Sequence, residues 1–546
     1  VEETAERILR DQSMLENNRS TWDSHWTEIA ERALPRYDDF NKKERTEGQK
    51  RTEKIFDSTA VLALDRAASA IDSLLTPSTG QWHGLVPEDD DLLEDQEVMI
   101  FLHQLTRRLF RMRYRPKANF ASQAHECYVT LMAFGTLGMF VDDELGVGTR
   151  YKSCPTSELY IAENASGMID LVHRKFPYTA RAAMQKWGDR NPDFIKRAAE
   201  KEPFKKFDFI HCVKPNAEIK QSAKDYRGMQ YASYYLPVEG KEVINRSGYR
   251  TMPYSISRHV TAPRETYGRS PAMMVLADIK MLNEMEKTTI RAAHKIVDPP
   301  LLVHGDGSLG AYNMRPGAIN YGGVDDKGNQ MVVAMKMGSN LPIALELSEQ
   351  KRKAINDAFY VTLFQVLVQN PRMSATEAML RAQEKGQLLA PTVGRQESEF
   401  IGTLVERELS IAAAAGMLED MPAQLMDAGG GIKISHTSPL SRLRRAEDGV
   451  AILRTLESVA PIAQYRPEVM DVFDDEIIVR ELAEINNVPP KIMRSAEALL
   501  AMREQKAQRQ EQVDALEGAQ TASVAAKNLG QAAQAAGFAQ PALIPE

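Results

Sequence analysis

The sequence predicts an α+β fold that is mostly helical, and three observations carry that reading. Long stretches space their apolar residues three and four apart, which brings them onto one stripe of a helix. Segments such as "LGMFVDD", "ELYIAEN", "IDLVHRKF" and "QYASYYLPV" instead alternate apolar and polar residues with the period of a strand. Proline and glycine clusters separate the two kinds of stretch. The chain has 546 residues, enough for about three or four domains at about 150 residues each.

Taken in order, residues 1–34 form an amphipathic helix with Trp22, Trp26, Ile29 and Ala33 on one side, stopped at Pro35. After the charged linker "NKKERTEGQKRTEK", a second helix runs from about Ser58 to Leu75 and ends at "TPSTG". Helices over about 95–114 and 118–134 lead into the strand-like block. From Pro271 to Val297 the pattern becomes one helix, with Val275, Ile279, Leu282, Met285, Thr289, Ala293 and Ile296 on its apolar stripe and Pro299 and Pro300 beyond it. At 1.5 Å per residue this rod is about 40 Å long. Between Leu301 and Pro342 glycines are frequent and "QMVVAMKM" reads as a strand, so a small β-rich insert is expected. A second rod follows over about Ile343–Val368, with Ile355, Phe359, Thr362 and Val366 on its apolar side, and stops at Pro371. Two antiparallel rods would then hold the insert away from the body. Ser374 and Glu377 have capping-box spacing and open a helical stretch that breaks near Pro391 and resumes over about 396–418. "DAGGG" marks a boundary, residues 441 to about 515 are again helical, and the alanine- and glutamine-rich end is expected to be mobile.

Composition narrows the function. Hydrophobic residues make up 43% and charged residues 26% of the chain, as in ordinary folded proteins. Lysine and arginine number 68 against 75 acids, a net charge of −7, which argues against a protein that grips nucleic acid through a basic surface. Cys127, Cys154 and Cys212 are far apart and odd in number, without zinc-ligand spacing, so neither a disulfide framework nor a zinc site is expected. The charged N-terminal stretch has no apolar signal segment and no run of about 18 apolar residues occurs, which predicts a cytoplasmic protein with no membrane partner.

Each motif has a bland rival. Gly305, Gly307 and Gly310 have G-x-G-x-x-G spacing, the basis of an alternative reading as a nucleotide-binding enzyme. A dinucleotide site needs a helix to start at these glycines, yet the chain continues "AYNMRPGAINYGG", which predicts a turn-rich loop. There is no P-loop sequence, so ATP hydrolysis is left to another protein. His125 and Cys127, two apart on a helix, point in different directions and do not make a nucleophile and its base. The acids Asp89, Asp90 and Asp91, and Asp474, Asp475 and Glu476, read as solvated turns rather than metal sites, and the glycosylation triplets at Asn164 and Asn245 as chance. No catalytic residue, metal or cofactor is called for. On the first rod Lys280, Glu284, Lys287, Arg291 and Lys295 form a charged stripe, and the second carries Lys351, Arg352 and Lys353. These faces are either solvated or line a channel.

Several segments, in order, resemble the portal, or head-to-tail connector, family of short-tailed, podovirus-type bacteriophages. They are "WTEIAERALPR", "FDSTAVLALDRAASAIDSLLTP", "FGTLGMFV", "FIHCVKPN", "MPYSISRH", "YGRSPAMMVLADIKMLNEM", "NPRMSATEAMLRAQE", "SPLSRLRRAEDG" and the segment from Pro467 to Arg480. The chain departs from the family pattern at His83, where phenylalanine usually follows Trp82, at His259, where tryptophan usually follows Arg258, and at Ser270, where glycine is common.

The resemblance implies a portal fold with an α/β wing, a two-helix stem, a β-rich clip and a helical crown. The corresponding parts here are the wing over residues 1–268 and 376–440, stem helices over 269–298 and 343–368, the clip over 299–342 and a channel loop over 369–375. The crown would cover 441–515 and a flexible tail 516–546. It also implies a ring, a homododecamer in the family, at one capsid vertex of the virion, assembled in the host cytoplasm. Its expected partners are the large terminase subunit, a tail adaptor protein, the major capsid and scaffolding proteins, and double-stranded DNA in transit. Because each phosphate neutralised by lysine or arginine adds salt-dependent affinity, sparse rings of positive charge suit passage better than a densely basic wall. Lys351, Arg352, Lys353 and Arg372, at the ends of the second rod, are therefore the candidate channel residues, and Arg315, Asp325, Asp326 and Lys327 on the insert the candidate docking residues for terminase and tail adaptor. A different virion protein, from an internal core or the tail, is the remaining alternative.

Overall fold

A computed structural model describes residues 2–37, 51–144 apart from 79 and 94, 148–217, 225–297, 301–303, 332–334, 341–362, 391–418, 421–437, 439–463 and 472–485, with scattered single positions elsewhere. The chain divides into two compact units, one of residues 1–84, 107–419 and 436–485, the other of 85–106, 420–435 and 486–546.

The chain opens with α1 (Glu2–Ala33), α2 (Thr59–Leu75), β1 (His83–Pro87), α3 (Gln96–Arg113) and α4 (Phe120–Phe134). Strands β2 (Thr136–Glu144), β3 (Gly148–Ser153), β4 (Leu159–Glu163) and β5 (Ile169–Thr179) follow, then α5 (Ala180–Trp187) and α6 (Asp193–Lys201). Next come β6 (Lys206–Pro215), β7 (Tyr231–Pro237), β8 (Asn245–Tyr249) and β9 (Tyr254–Arg258). The strands β4 to β8 form an antiparallel meander in chain order. Strand alternation sorts its side chains onto two faces. Phe176, Phe207, Phe209 and Tyr235 meet Ala180, Ala183 and Trp187 of α5 and Ile195 of α6. Ile210, Cys212, Tyr234 and Leu236 meet Ala5 and Ile8 of α1 on the other face.

The tryptophan spacing of α1 has a direct cause. Trp26 is fully buried, its indole N–H donates to the Phe134 carbonyl at 3.1 Å, and its ring meets those of Trp22 and Tyr267 at 5.5 and 5.2 Å. Nearer the start of the same helix, Arg19 donates to the carbonyls of Thr156, Ser157 and Leu159 and lies 3.7 Å from the centre of the Tyr160 ring. The helix is thereby clamped along the edge strand β4.

A second sheet has the order β3-β2-β9. Between α4 and β2 stands Gly135 at φ +77°, and a methyl group built on it would overlap the Gly268 carbonyl, while one on Gly268 would overlap the Gly135 carbonyl. Two backbones touch here, and only glycine fits either side. Ser270, two residues on, is buried; its hydroxyl donates to the Ala133 carbonyl at 2.8 Å and accepts from the Met273 amide at 3.1 Å, capping α7 (Pro271–Met274).

The first rod is therefore not one helix from Pro271 to Val297. Val275, at φ −108° and ψ 14°, separates α7, whose cap Ser270 is bonded to Ala133 of α4, from α8 (Leu276–Val297). Strands β10 (Leu301–Val303) and β11 (Val332–Ala334) pair antiparallel; most of the expected insert lies outside the described residues. The second rod begins as α9 (Leu341–Ala358), is interrupted at Phe359 and Tyr360, and is helical again at Val361 and Thr362; residues 363–368 of the expected rod lie outside the described residues. Tyr360 takes the left-handed φ of +58°, which a right-handed helix cannot continue, while Thr362 Oγ1 donates to Asp357 Oδ1 at 2.8 Å and Phe359 is fully buried. The capping-box stretch from Ser374 lies outside the described residues.

The stretch expected to resume at about 396 is already helical over 391–395, passes through a π-helical turn, Gln396–Gly402, and continues as Thr403–Ala414. The helices Pro439–Ala463 and Asp475–Ile485 pack on each other. In the second unit, the helix Ala423–Asp427 is followed by Gly429 and Gly430, both at positive φ, and by β12 (Ile432–His436), which pairs with β1. The Glu88 amide donates to the Gly431 carbonyl at 3.0 Å within that unit.

Candidate functional site

The two rods pack against each other, and α9 also meets α2. Where they do, Ile279 and Leu282 of α8 and Ile355 of α9 are buried. The buried Asn283 donates to the Ile279 carbonyl at 2.9 Å and accepts, through Oδ1, the amides of Phe56 and Asp57 at 2.7 and 3.2 Å. It thus fastens the lead-in to α2 onto the rod. Asp57 in turn accepts the Thr59 amide at 2.8 Å and Arg352 Nε at 3.0 Å. Arg352 also pairs with Glu286 at 2.9 Å and Glu349 at 2.6 Å. Burial pushes the Asp57 carboxyl upwards, but the hydrogen bonds from Thr59 and Arg352 outweigh it and hold the group below the usual carboxylate range.

The three cations of the second rod therefore have different surroundings. Arg352 is gathered among three carboxylates and Lys351 pairs with Asp278 at 2.7 Å, while Lys353 is exposed. On α8, Lys280 bonds Glu28 of α1 at 2.9 Å and Lys287 bonds Glu284 at 3.1 Å; Arg291 and Lys295 are exposed. The apolar stripe of α8 is buried only over its first half. Ile296, expected on the buried side, is 44% exposed, with Ile290 and Val297 exposed beside it.

Other predicted positions are soon placed. Lys327 is exposed. Arg315, Asp325, Asp326 and Arg372, with Gly305, Gly307 and Gly310, lie outside the described residues. Cys127 is buried and its thiol faces the Gly138 carbonyl and Ser153, burial pushing it far above its ordinary pKa, whereas His125 faces Asp72 at 3.6 Å. They form no dyad. Asp89, Asp90, Asp91, Asp474 and Asp475 are exposed. Among the described residues there is no cluster able to hold a metal ion, and no helix long and apolar enough to cross a membrane.

The family departures are buried. His83 Nε2 lies 2.9 Å from Arg113 Nη2, and Arg113 forms a fully buried pair with Glu408, which also accepts the Tyr151 hydroxyl at 2.5 Å. The guanidinium lies 4.3 Å from the Trp82 ring centre. Arg258 joins Glu163 to Glu399, and the His259 next to it is buried. No local pattern reveals the pairings of Arg113 with Glu408 or of Arg352 with Asp57, because each partner sits almost 300 residues away and the helical spacing around it is ordinary.

Comparison with known proteins supplies the family. The family described as "Bacteriophage head to tail connecting protein" matches residues 5–493. The chain is 25% identical over 538 residues to the portal protein of Salmonella phage epsilon15, covering 97% of this chain and 96% of that one. It is 26% identical over 518 residues to the probable portal protein of Bordetella phage BPP-1, covering 94% and 93%. A solved structure, the neck of an empty gene transfer agent particle, is similar at a TM-score of 0.36 and 11% identity over 72% of this chain and 86% of that one, too distant to bear on the fold. Matched over nearly its whole length, the chain belongs to the family of bacteriophage head-to-tail connecting proteins.

Proposed function

We propose that this chain is a portal subunit whose copies form a ring at one capsid vertex, with a central channel through which terminase packages DNA and DNA later leaves, and to which the tail attaches. The observation that carries the reading is the family match over residues 5–493, with relatives named portal proteins aligned along almost their full length. The role is structural rather than catalytic. A ring of identical subunits closes through a heterologous interface, one face of each copy meeting a different face of the next. Twelve copies, capsid and scaffolding contacts, a virion location and assembly in the host cytoplasm belong to the same reading.

Within it, Lys353 and Arg372 are the cations that meet phosphates in the channel, and Arg315, Asp325, Asp326 and Lys327 dock terminase and the tail adaptor. Lys351 and Arg352 serve mainly to hold the rods, since each is already paired with acids of its own chain. The test is charge reversal. Lys353→Glu and Arg372→Glu are expected to leave ring assembly intact and to lower the yield of DNA-filled heads. Normal packaging by both variants would remove these residues from the channel.

A further inference from the structure

Between the two sheets lies an open cleft of about 800 Å³ whose lining includes Lys152, Tyr178, Lys186, His211 and Tyr235. Its floor is aromatic. His211 stacks on Tyr235 at 3.9 Å and is held by the Tyr254 hydroxyl at 2.7 Å and Ser233 at 2.9 Å. Over this floor stand two ammonium groups. Lys152 of β3 and Lys186 of α5 each lie 5.7 Å from the centre of the Tyr178 ring, and Lys186 is 4.6 Å from that of Tyr235. Most other charges here are matched: Arg174 pairs with Glu158 at 2.8 Å, Arg150 with Glu144 at 3.2 Å, and Asp142 faces Arg407 at 3.6 Å. Among the described residues, neither lysine is ion-paired with a carboxylate. Desolvation holds the Lys186 ammonium down at about 8; the nearby Asp142 carboxylate opposes the shift and the charge of Lys152 adds to it.

We infer that this cleft binds a small organic anion carrying a flat ring, its carboxylate or phosphate set between Lys152 and Lys186 and its ring against the tyrosines. Two lysine ammonium groups beside aromatic faces, neither within ion-pairing distance of the Asp142 and Asp143 carboxylates that share the cleft, are what such a ligand satisfies: the acid group gains charge-assisted hydrogen bonds and the ring gains stacking. Nothing in the portal reading requires this site, so the two stand or fall separately.

Calorimetric titration of the purified full chain with phenyl phosphate and with inorganic phosphate tests it. Phenyl phosphate is expected to bind about tenfold more tightly than phosphate, the share of one stacking contact. Lys152→Gln with Lys186→Gln should weaken phenyl phosphate by at least about tenfold, the loss of charge-assisted bonds, while Lys152→Arg with Lys186→Arg retains binding. Melting curves confirm that the variants are folded. Absence of binding, equal affinity for the two probes, or unchanged binding by the glutamine variant would overturn the inference.

Discussion

His83, His173, His211 and His259 are buried imidazoles, and in each the main cause of a lowered pKa is burial itself, which disfavours the charged form. His173 and His259 are lowered to about 4 from an ordinary 6.5. As pH falls below 6.5 the unfolded chain takes up protons that the folded chain refuses, so stability declines between about 6.5 and 4. His259 suits the test, because burial is the largest influence on it and outweighs the opposing backbone hydrogen bond to Arg269. We expect His259→Phe to recover about 2 kcal/mol of the stability lost between pH 7.5 and pH 5, measured by urea unfolding at the two values. Equal losses in parent and variant would show that the imidazole is protonated in the folded protein. At this scale the sequence marked His83, His259 and Ser270 as departures from the family but not their roles. Ser270, where the resemblance leads one to expect glycine, caps a helix, and His83, where it leads one to expect phenylalanine, places a ring nitrogen beside Arg113.

Elements meet at the contact between Gly135 and Gly268, where the corner from α4 into β2 touches the segment leading to α7. Both neighbours are backbone and cannot rotate away, so Gly268→Ala must displace one of the two segments. We expect a loss of about 2 kcal/mol or more, read as a lowered melting temperature; a neutral substitution would mean that the contact is not close. Helix existence was legible because apolar spacing is a local property, and α1 to α4 lie within two residues of their expected bounds. The errors fall at helix ends decided by distant groups. Ser270 is anchored to the Ala133 carbonyl ahead of the short α7, which breaks from α8 at Val275, and Tyr360 turns left-handed after α9 with Phe359 in the core. Nothing in the apolar period of either rod reports those anchors.

For the whole molecule, composition separates a folded protein from a nucleic-acid clamp but does not identify a portal; the ordered family-like segments do. The structure refines which cations remain available. Lys351 and Arg352 are engaged within the chain and Lys353 is exposed, so a cluster that looked uniform in sequence divides in three dimensions. The exposed Ile290, Ile296 and Val297 of α8, with Ile343 and Leu345 of α9, are side chains for which neighbouring copies in the proposed ring would provide cover. Electron microscopy of the purified chain alone tests this account most directly. It predicts closed rings with an open central hole in the absence of any other virion protein. Particles that remain monomeric, or that assemble without a central channel, would contradict it.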